Sequence, residues 1–301
     1  MRRDKPGRSG RRRPSRVTIL RSLLDGLTRV PVTASRSQIR SLAAVTVSLV
    51  GAGLAAWSWL NLVRDLPDRA ALSRIGSAAQ TTIVFDRSDR PASTIFRQQR
   101  IVVPLARVSA DFVRALVSVE DQRFYVHGPV DPPRILSAAF SDLVRLRAAE
   151  GASTLTQQLA RAAFLTPRRT LRRKLQEIVL AWRIERRFSK NEILELYANH
   201  VYFGDGLWGV EAASLGYFGK HASDLALPEA ALLAGLVKAP ATSAPTVDLD
   251  KAVRRRNVVL DAMRATRSID RETWERARAA GVQLRDGLAR HEPHLRSCRW
   301  I

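Results

Sequence analysis

From Ser41 to Val63 the chain runs for 23 residues without a charge, SLAAVTVSLVGAGLAAWSWLNLV. At about 1.5 Å per residue, a helix of this length crosses a hydrocarbon core of roughly 30 Å. Arg40 and Arg64 bracket the run, and Trp57 and Trp59 sit near its second end, where a membrane interface favours aromatic rings. A buried core helix is the alternative, but the uninterrupted apolar length argues against it. A cleaved signal peptide fits worse still, because its charged n-region would extend over forty residues. The run predicts one uncleaved transmembrane anchor.

Charge then sets the orientation. Residues 1–40 hold twelve Lys or Arg against Asp4 and Asp25, so +10 of the formal net charge of +22 precedes the anchor. Short basic flanks stay in the cytoplasm, which predicts a cytoplasmic N-terminus and an external face for everything after Arg64. A strongly basic chain calls for an anionic partner. This topology removes cytoplasmic nucleic acid and leaves anionic membrane lipids or a phosphorylated substrate. Cys298 is the sole cysteine, so no intrachain disulfide is expected. The five histidines show no zinc-ligand spacing.

The expected organisation is a basic cytoplasmic tail (1–40), the anchor (41–63), a connector (64–80), a mainly helical external domain (81–266) and a C-terminal helix and tail (267–301). Alternation over Thr81–Pro104 predicts two or three short strands around a turn at Ser88–Arg90. From there the periodicity is helical, over roughly 109–120, 132–149, 153–164, 167–188, 190–198, 208–217, 228–237, 250–266 and 270–280. On the helix over 167–188, Leu171, Leu175, Ile178 and Trp182 trace a stripe expected to be buried. The fold class is therefore mainly α with a small β entrance.

Three segments hold groups suited to chemistry. In EDQRFYVHGPVDP (120–132), Glu120 and Asp121 end an otherwise apolar helix, and Phe124 and His127 follow four and seven residues after Glu120. A carboxylate beside an apolar face is partly desolvated, the setting of a general base. In GASTLTQQLARAAF (151–164), Ser153 or Thr154 can cap a helix from which Gln157, Gln158 and Arg161 project. A helix N-terminus with an Arg suits an anion. In TLRRKLQEIVLAWRIERRF (170–188), Arg173 and Lys174 lie four and three residues before Glu177. Taken alone, each segment also fits a structural role: a polar helix end, a capped surface helix, a pair of weak surface contacts.

Together, in this order, they resemble the family-51 glycosyltransferase domain of class A penicillin-binding proteins and monofunctional peptidoglycan transglycosylases. Glu120, Asp121, Phe124, His127 and Asp131 match its first motif, E-D-x-x-F-x-x-H-x-G-x-D. Gly151, Ser153, Thr154, Gln157 and Gln158 match the second, G-G-S-T-x-x-Q-Q-x-x-K-N. Arg173, Lys174 and Glu177 meet R-K-x-x-E, and Lys190, Ile193, Leu194, Glu195, Tyr197 and Asn199 meet K-x-x-I-L-E-x-Y-x-N. Arg255, Arg256, Val259 and Leu260 meet R-R-x-x-V-L. The chain departs from the pattern at Pro129, where the family has Gly, and at Ala152, Arg161 and Ala162, where it has Gly, Lys and Asn.

The resemblance implies a lysozyme-like helical fold, with a membrane-dipping jaw over about 138–172 that suits anionic lipid. It implies an inverting enzyme that polymerises lipid II into β-1,4 glycan strands and releases undecaprenyl pyrophosphate. Glu120 is expected as general base and Glu177 as a catalytic group on the donor side. Asp121, Phe124, His127, Ser153, Thr154, Gln157, Gln158, Arg161, Arg173, Lys174, Glu195, Tyr197 and Asn199 are expected to contact substrate. A divalent cation, Mg or Mn, is compatible with the pyrophosphate. Lipid II, the growing glycan and transpeptidases of the cell-wall machinery are the expected partners. Two alternatives share these features: a murein-cleaving enzyme of the same fold and a non-catalytic membrane scaffold. With 35 residues after Thr266, the sequence as given is expected to be monofunctional.

Overall fold

The computed structural model describes residues 36–76, 82–85, 91–95, 99–137, 153–166, 168 and 170–285. Residues 1–35 of the basic tail, the expected turn at Ser88–Arg90, residues 138–152, 167 and 169 of the expected jaw and the segment holding Cys298 lie outside the described residues. Two compact units divide at Leu60/Asn61.

The first unit holds most of helix α1 (Arg36–Val63). Its stretch Arg40–Val63 has a mean hydropathy of 1.6 over its most apolar window and is long and apolar enough to cross a membrane. Trp57 and Trp59 are exposed.

The second unit is mainly helical. After α2 (Arg69–Ser73), strands β1 (Thr82–Phe85) and β2 (Pro91–Ile95) pair antiparallel. A third strand, β3 (Gln99–Arg100), does not join that hairpin. It runs parallel to β5 (Leu207–Trp208), which also pairs antiparallel with β4 (Tyr202–Gly204). The β4–β5 pair is the part of the sheet that short-range alternation missed, since strands of three and two residues show no period. Gly209, just past β5, has φ +83° and sits where a Cβ would lie 2.9 Å from the Asn199 carbonyl oxygen. Glycine alone permits both that backbone and that approach.

Helices α3 (Ala110–Glu120), α4 (Leu155–Phe164), α5 (Leu171–Glu185), α6 (Lys190–His200), α7 (Val210–Phe218), α8 (Leu227–Leu236), α10 (Leu249–Ala265) and α11 (Arg271–Ala279) agree with the periodicity. The short α9 (Pro240–Ser243) was not anticipated. Most of these starts have a local cause. Ser109, Thr154, Thr170, Asp248 and Asp270 cap their helices through side-chain oxygens. Ser189 and Glu192 form a reciprocal capping box at α6. Helix α8 is buried continuously from Ala230 to Leu236 and packs between α3 and α10. Phe112, Phe203 and Tyr217 fill the same core. Arg255 donates Nε to the Gly235 carbonyl of α8. Buried Arg256 donates to the Arg278 and Ala280 carbonyls, which terminates α11.

Helix α5 corrects the expected stripe. Leu171 is 86% exposed, Trp182 55%, and Leu175 is exposed as well. The face buried against α4 carries Glu177, Leu180, Ala181 and Ile184 at steps of three, one and three. Both faces have helical spacing, so periodicity could not choose between them. The choice falls on the face that brings Glu177 inward.

Buried His200, at the end of α6, donates Nδ1 to the Leu196 carbonyl at 2.9 Å. Burial, with the Arg100 charge adding to it, pushes its pKa from 6.5 down to about 4. The unfolded chain therefore takes up the proton first as pH falls. Stability from the neutral ring is complete above about pH 6.5 and is lost toward pH 4, by about 3 kcal/mol in total. Thermal unfolding of the full chain across this window should show the loss, and His200→Leu should flatten it.

Candidate active site

The site is organised around the N-terminal half of α4. Thr154 caps the helix and also donates its hydroxyl to the Pro129 carbonyl at 3.0 Å. Gln157 donates to the same carbonyl, also at 3.0 Å. The loop between α3 and residues 132–137, which are helical, is thus stapled to the start of α4. Pro129 contributes only its carbonyl, a contact open to any residue at this position.

Asp121 is the second staple. It is fully buried, and its Oδ2 accepts the backbone N–H of Leu155, the first residue of α4, at 2.9 Å. Its Oδ1 lies 2.7 Å from His127 Nε2 and 3.4 Å from Arg134 Nη1. His127 Nδ1 faces the Gly128 carbonyl at 2.5 Å. Asp121, His127 and Asp131 are close enough to share a metal ion. Their donors are already engaged with one another, with the α4 backbone and with Arg123 and Arg134, so the set does not fit a cation. A cavity of about 330 Å³ opens beside this staple, lined by Val119, Gln122, Arg123, Asp131, Pro133 and Arg134.

Gln157 and Gln158 then reach different groups from adjacent positions on α4. Gln158 Nε2 donates to Glu120 Oε2 at 2.8 Å, and Tyr197 donates its hydroxyl to Gln158 Oε1 at 2.9 Å. Glu120 is the half-buried last residue of α3. Burial, with the nearby Glu120 charge adding to it, pushes the Tyr197 hydroxyl well above the usual phenol range. Arg161 acts in the opposite sense from the next turn of α4.

Gln157 Oε1 in turn accepts from Lys174 Nζ at 2.8 Å. Lys174 also donates to Ser153 Oγ at 2.6 Å and to Glu177 Oε2 at 3.2 Å. Glu177 is only 1% exposed. Arg173 Nη1 lies 2.9 Å from Glu177 Oε1, but the contact is too bent for a hydrogen bond. Arg173 Nε and Glu177 Oε1 therefore keep unused capacity among the described residues. A buried donor with no partner is costly, and here it sits in a cluster of two cations and one carboxylate.

The remaining residues expected at the site take other places. Phe124 is fully buried against Tyr125 and His127, with Lys190 Nζ 4.6 Å from its ring centre. Glu195 accepts the Leu105 N–H, and Asn199 makes paired bonds to the Val103 N–H and carbonyl. Both fasten the backbone that leads from β3 into α3. Two residues were overlooked. Glu185 accepts from Thr156 at 2.6 Å and from Lys190 at 2.9 Å, tying α4, α5 and α6 together. Arg134 pairs with Asp121. Contacts between residues 13 and 29 apart leave no local pattern by which to find them.

This is a helical domain with one carboxylate at the mouth of an apolar helix and another inside a cationic cluster. The family model described as transglycosylase matches residues 78–264, and the chain belongs to that family. Penicillin-binding protein 1A of Aquifex aeolicus is 43% identical over 218 residues, covering 72% of this chain and 30% of its own length. Penicillin-binding protein 1A of Escherichia coli is 41% identical over 239 residues, covering 79% and 28%. Penicillin-binding protein 2D of Bacillus subtilis is 40% identical over 194 residues, covering 64% and 28%. The chain spans about three-tenths of the length of these curated relatives.

Proposed function

We propose that this chain is a peptidoglycan glycosyltransferase, anchored by α1 with its N-terminus in the cytoplasm and its helical domain on the outer face of the membrane. Its substrate is a disaccharide carried on a polyprenyl pyrophosphate, lipid II, added to a growing glycan. The observation that supports this best is the division at α4. Gln158 holds a candidate base, Glu120, and its neighbour Gln157 holds the cation cluster of Lys174, Arg173 and Glu177.

The reaction joins these halves. The acceptor 4-hydroxyl attacks the donor anomeric carbon as Glu120 takes its proton. The bond from that carbon to the pyrophosphate oxygen breaks, and the pair of electrons leaves with the pyrophosphate. One displacement converts an α-linked donor into a β-1,4 bond. Arg173 Nε, buried with no hydrogen-bond partner among the described residues, suits an incoming phosphate oxygen. Lys174 adds a mobile charge beside it. Glu177 keeps both cations in place. One carboxylate already facing two cations is a poor donor set for a divalent ion, so Arg173 and Lys174 are assigned the leaving-group charge.

The full chain in detergent, given fluorescent lipid II, should yield a ladder of glycan products on a gel. Release of fragments from finished cell wall, with no ladder, would instead favour the murein-cleaving alternative. Lys174→Met should lower the initial polymerisation rate by about 10²-fold, the usual scale for losing one group that stabilises developing charge. A loss confined to KM would mean that Lys174 only binds.

A further inference from the structure

The contacts of Glu120 go beyond what a base by itself requires. Its Oε2 takes the Gln158 amide at 2.8 Å, and among the described residues no hydrogen bond reaches its Oε1. The other end of the Gln158 amide takes the Tyr197 hydroxyl at 2.9 Å. Tyr197 is buried to 2% exposure in the core cluster, on α6, so its oxygen is held by packing. A phenol in this setting remains a donor throughout the working pH range.

These contacts have a direction. A glutamine amide is nearly symmetric in shape, and either end could face Glu120. If it were turned over, its carbonyl would oppose the Glu120 carboxylate, acceptor against acceptor, and its NH₂ would face a phenol whose proton is better used as a donor. The Tyr197 hydroxyl therefore selects the orientation that presents an N–H to Glu120. That N–H fixes the carboxylate rotation at Oε2 and leaves Oε1 as the proton acceptor. Serial bonds of this kind reinforce one another where water is excluded.

The geometry points to Gln158 and Tyr197 as positioning residues for Glu120, a two-step relay that sets which carboxylate oxygen receives the acceptor proton, rather than as contacts to the sugar. This rests on the proposed glycosyl transfer and on Glu120 as its base. The relay joins three elements, α3, α4 and α6, so the aim of the base is set by the packing of the domain core. Neither residue needs to touch substrate.

The test is a double-mutant cycle on the full chain in detergent with fluorescent lipid II, comparing Tyr197→Phe, Gln158→Leu and the double variant. Tyr197→Phe keeps the ring and removes only the hydroxyl. It should lower kcat about tenfold, the effect of one net hydrogen bond with good geometry, with KM unchanged. Gln158→Leu should lower kcat about 10²-fold, again with KM unchanged. The double variant should be no slower than Gln158→Leu, because Tyr197 acts only through Gln158.

A rise in KM with kcat preserved would overturn the relay and return both residues to substrate contact. So would a double variant whose loss is the product of the two single losses. Circular dichroism and thermal unfolding check that each variant folds. If Tyr197→Phe does not, the split between kcat and KM for Gln158→Met decides the question by the same criteria. Polymer from the parent chain and its absence from Glu120→Gln measure the proposed reaction itself, so its failure is read separately from that of the relay.

Discussion

Glu120→Gln should cut the polymerisation rate by about 10²–10⁴-fold, the range that general base catalysis supplies, while the unfolding temperature stays within a degree or two of the parent. The amide has the shape of the carboxylate and can still accept from Gln158, but it takes no proton from a hydroxyl. Glu120 is half-buried at the end of α3, and its one side-chain hydrogen bond among the described residues, to Gln158, is conserved by the change. Folding therefore loses little. Substrate affinity should also hold, so the loss should fall in kcat. Normal turnover by Glu120→Gln would place the base elsewhere and would leave Glu120 with a structural contact to Gln158 alone.

Asp121→Ala should have the opposite profile, a stability defect first and an activity defect as its consequence. Asp121 is fully buried, and its two oxygens receive the Leu155 N–H, His127 and Arg134. Removing it strands a buried helix-start N–H together with a cationic neighbour, a change that costs about 3–5 kcal/mol when a buried charged network loses one member. In a domain of this size that corresponds to an unfolding temperature lower by about 10 °C. Gln157 and Gln158 lie two and three residues beyond Leu155, so both halves of the site would loosen together. If Asp121 contacted substrate instead, Asp121→Ala would unfold at the parent temperature and show a raised KM. Differential scanning fluorimetry with steady-state kinetics separates the two.

The two substitutions fall on adjacent residues of one motif. Glu120 closes α3 with a carboxylate turned toward Gln158, whereas Asp121 adopts the next, non-helical conformation and turns into the protein. A motif read as letters treats them alike. Their tasks diverge because the helix ends between them.

Much of this was legible in the order of the residues. The uncharged run at Ser41–Val63, the helices and the acidic and cationic groups of the site all follow from short-range rules: apolar length, the 3.6-residue period, and a capping residue at Ser153 or Thr154, of which Thr154 caps α4. The pairing of Arg173 and Lys174 with Glu177 was legible for the same reason, since residues three and four apart share a helix face.

What the sequence could not decide was which of two similar faces turns inward and which distant groups meet. Leu171, Leu175 and Trp182 have the spacing of a core stripe and lie outside, because α4 packs on the face with Leu180 and Ile184. Strand β3 leaves its neighbours to pair with β5, more than a hundred residues later. Phe124, Glu195 and Asn199 read as site residues and hold the scaffold. Tyr197 and Gln158 are 39 residues apart and meet only once α4 and α6 are packed. Local spacing determines which residues share a face. Only burial across the whole domain, where each polar group must find a partner away from water, determines which face is used and whom it meets.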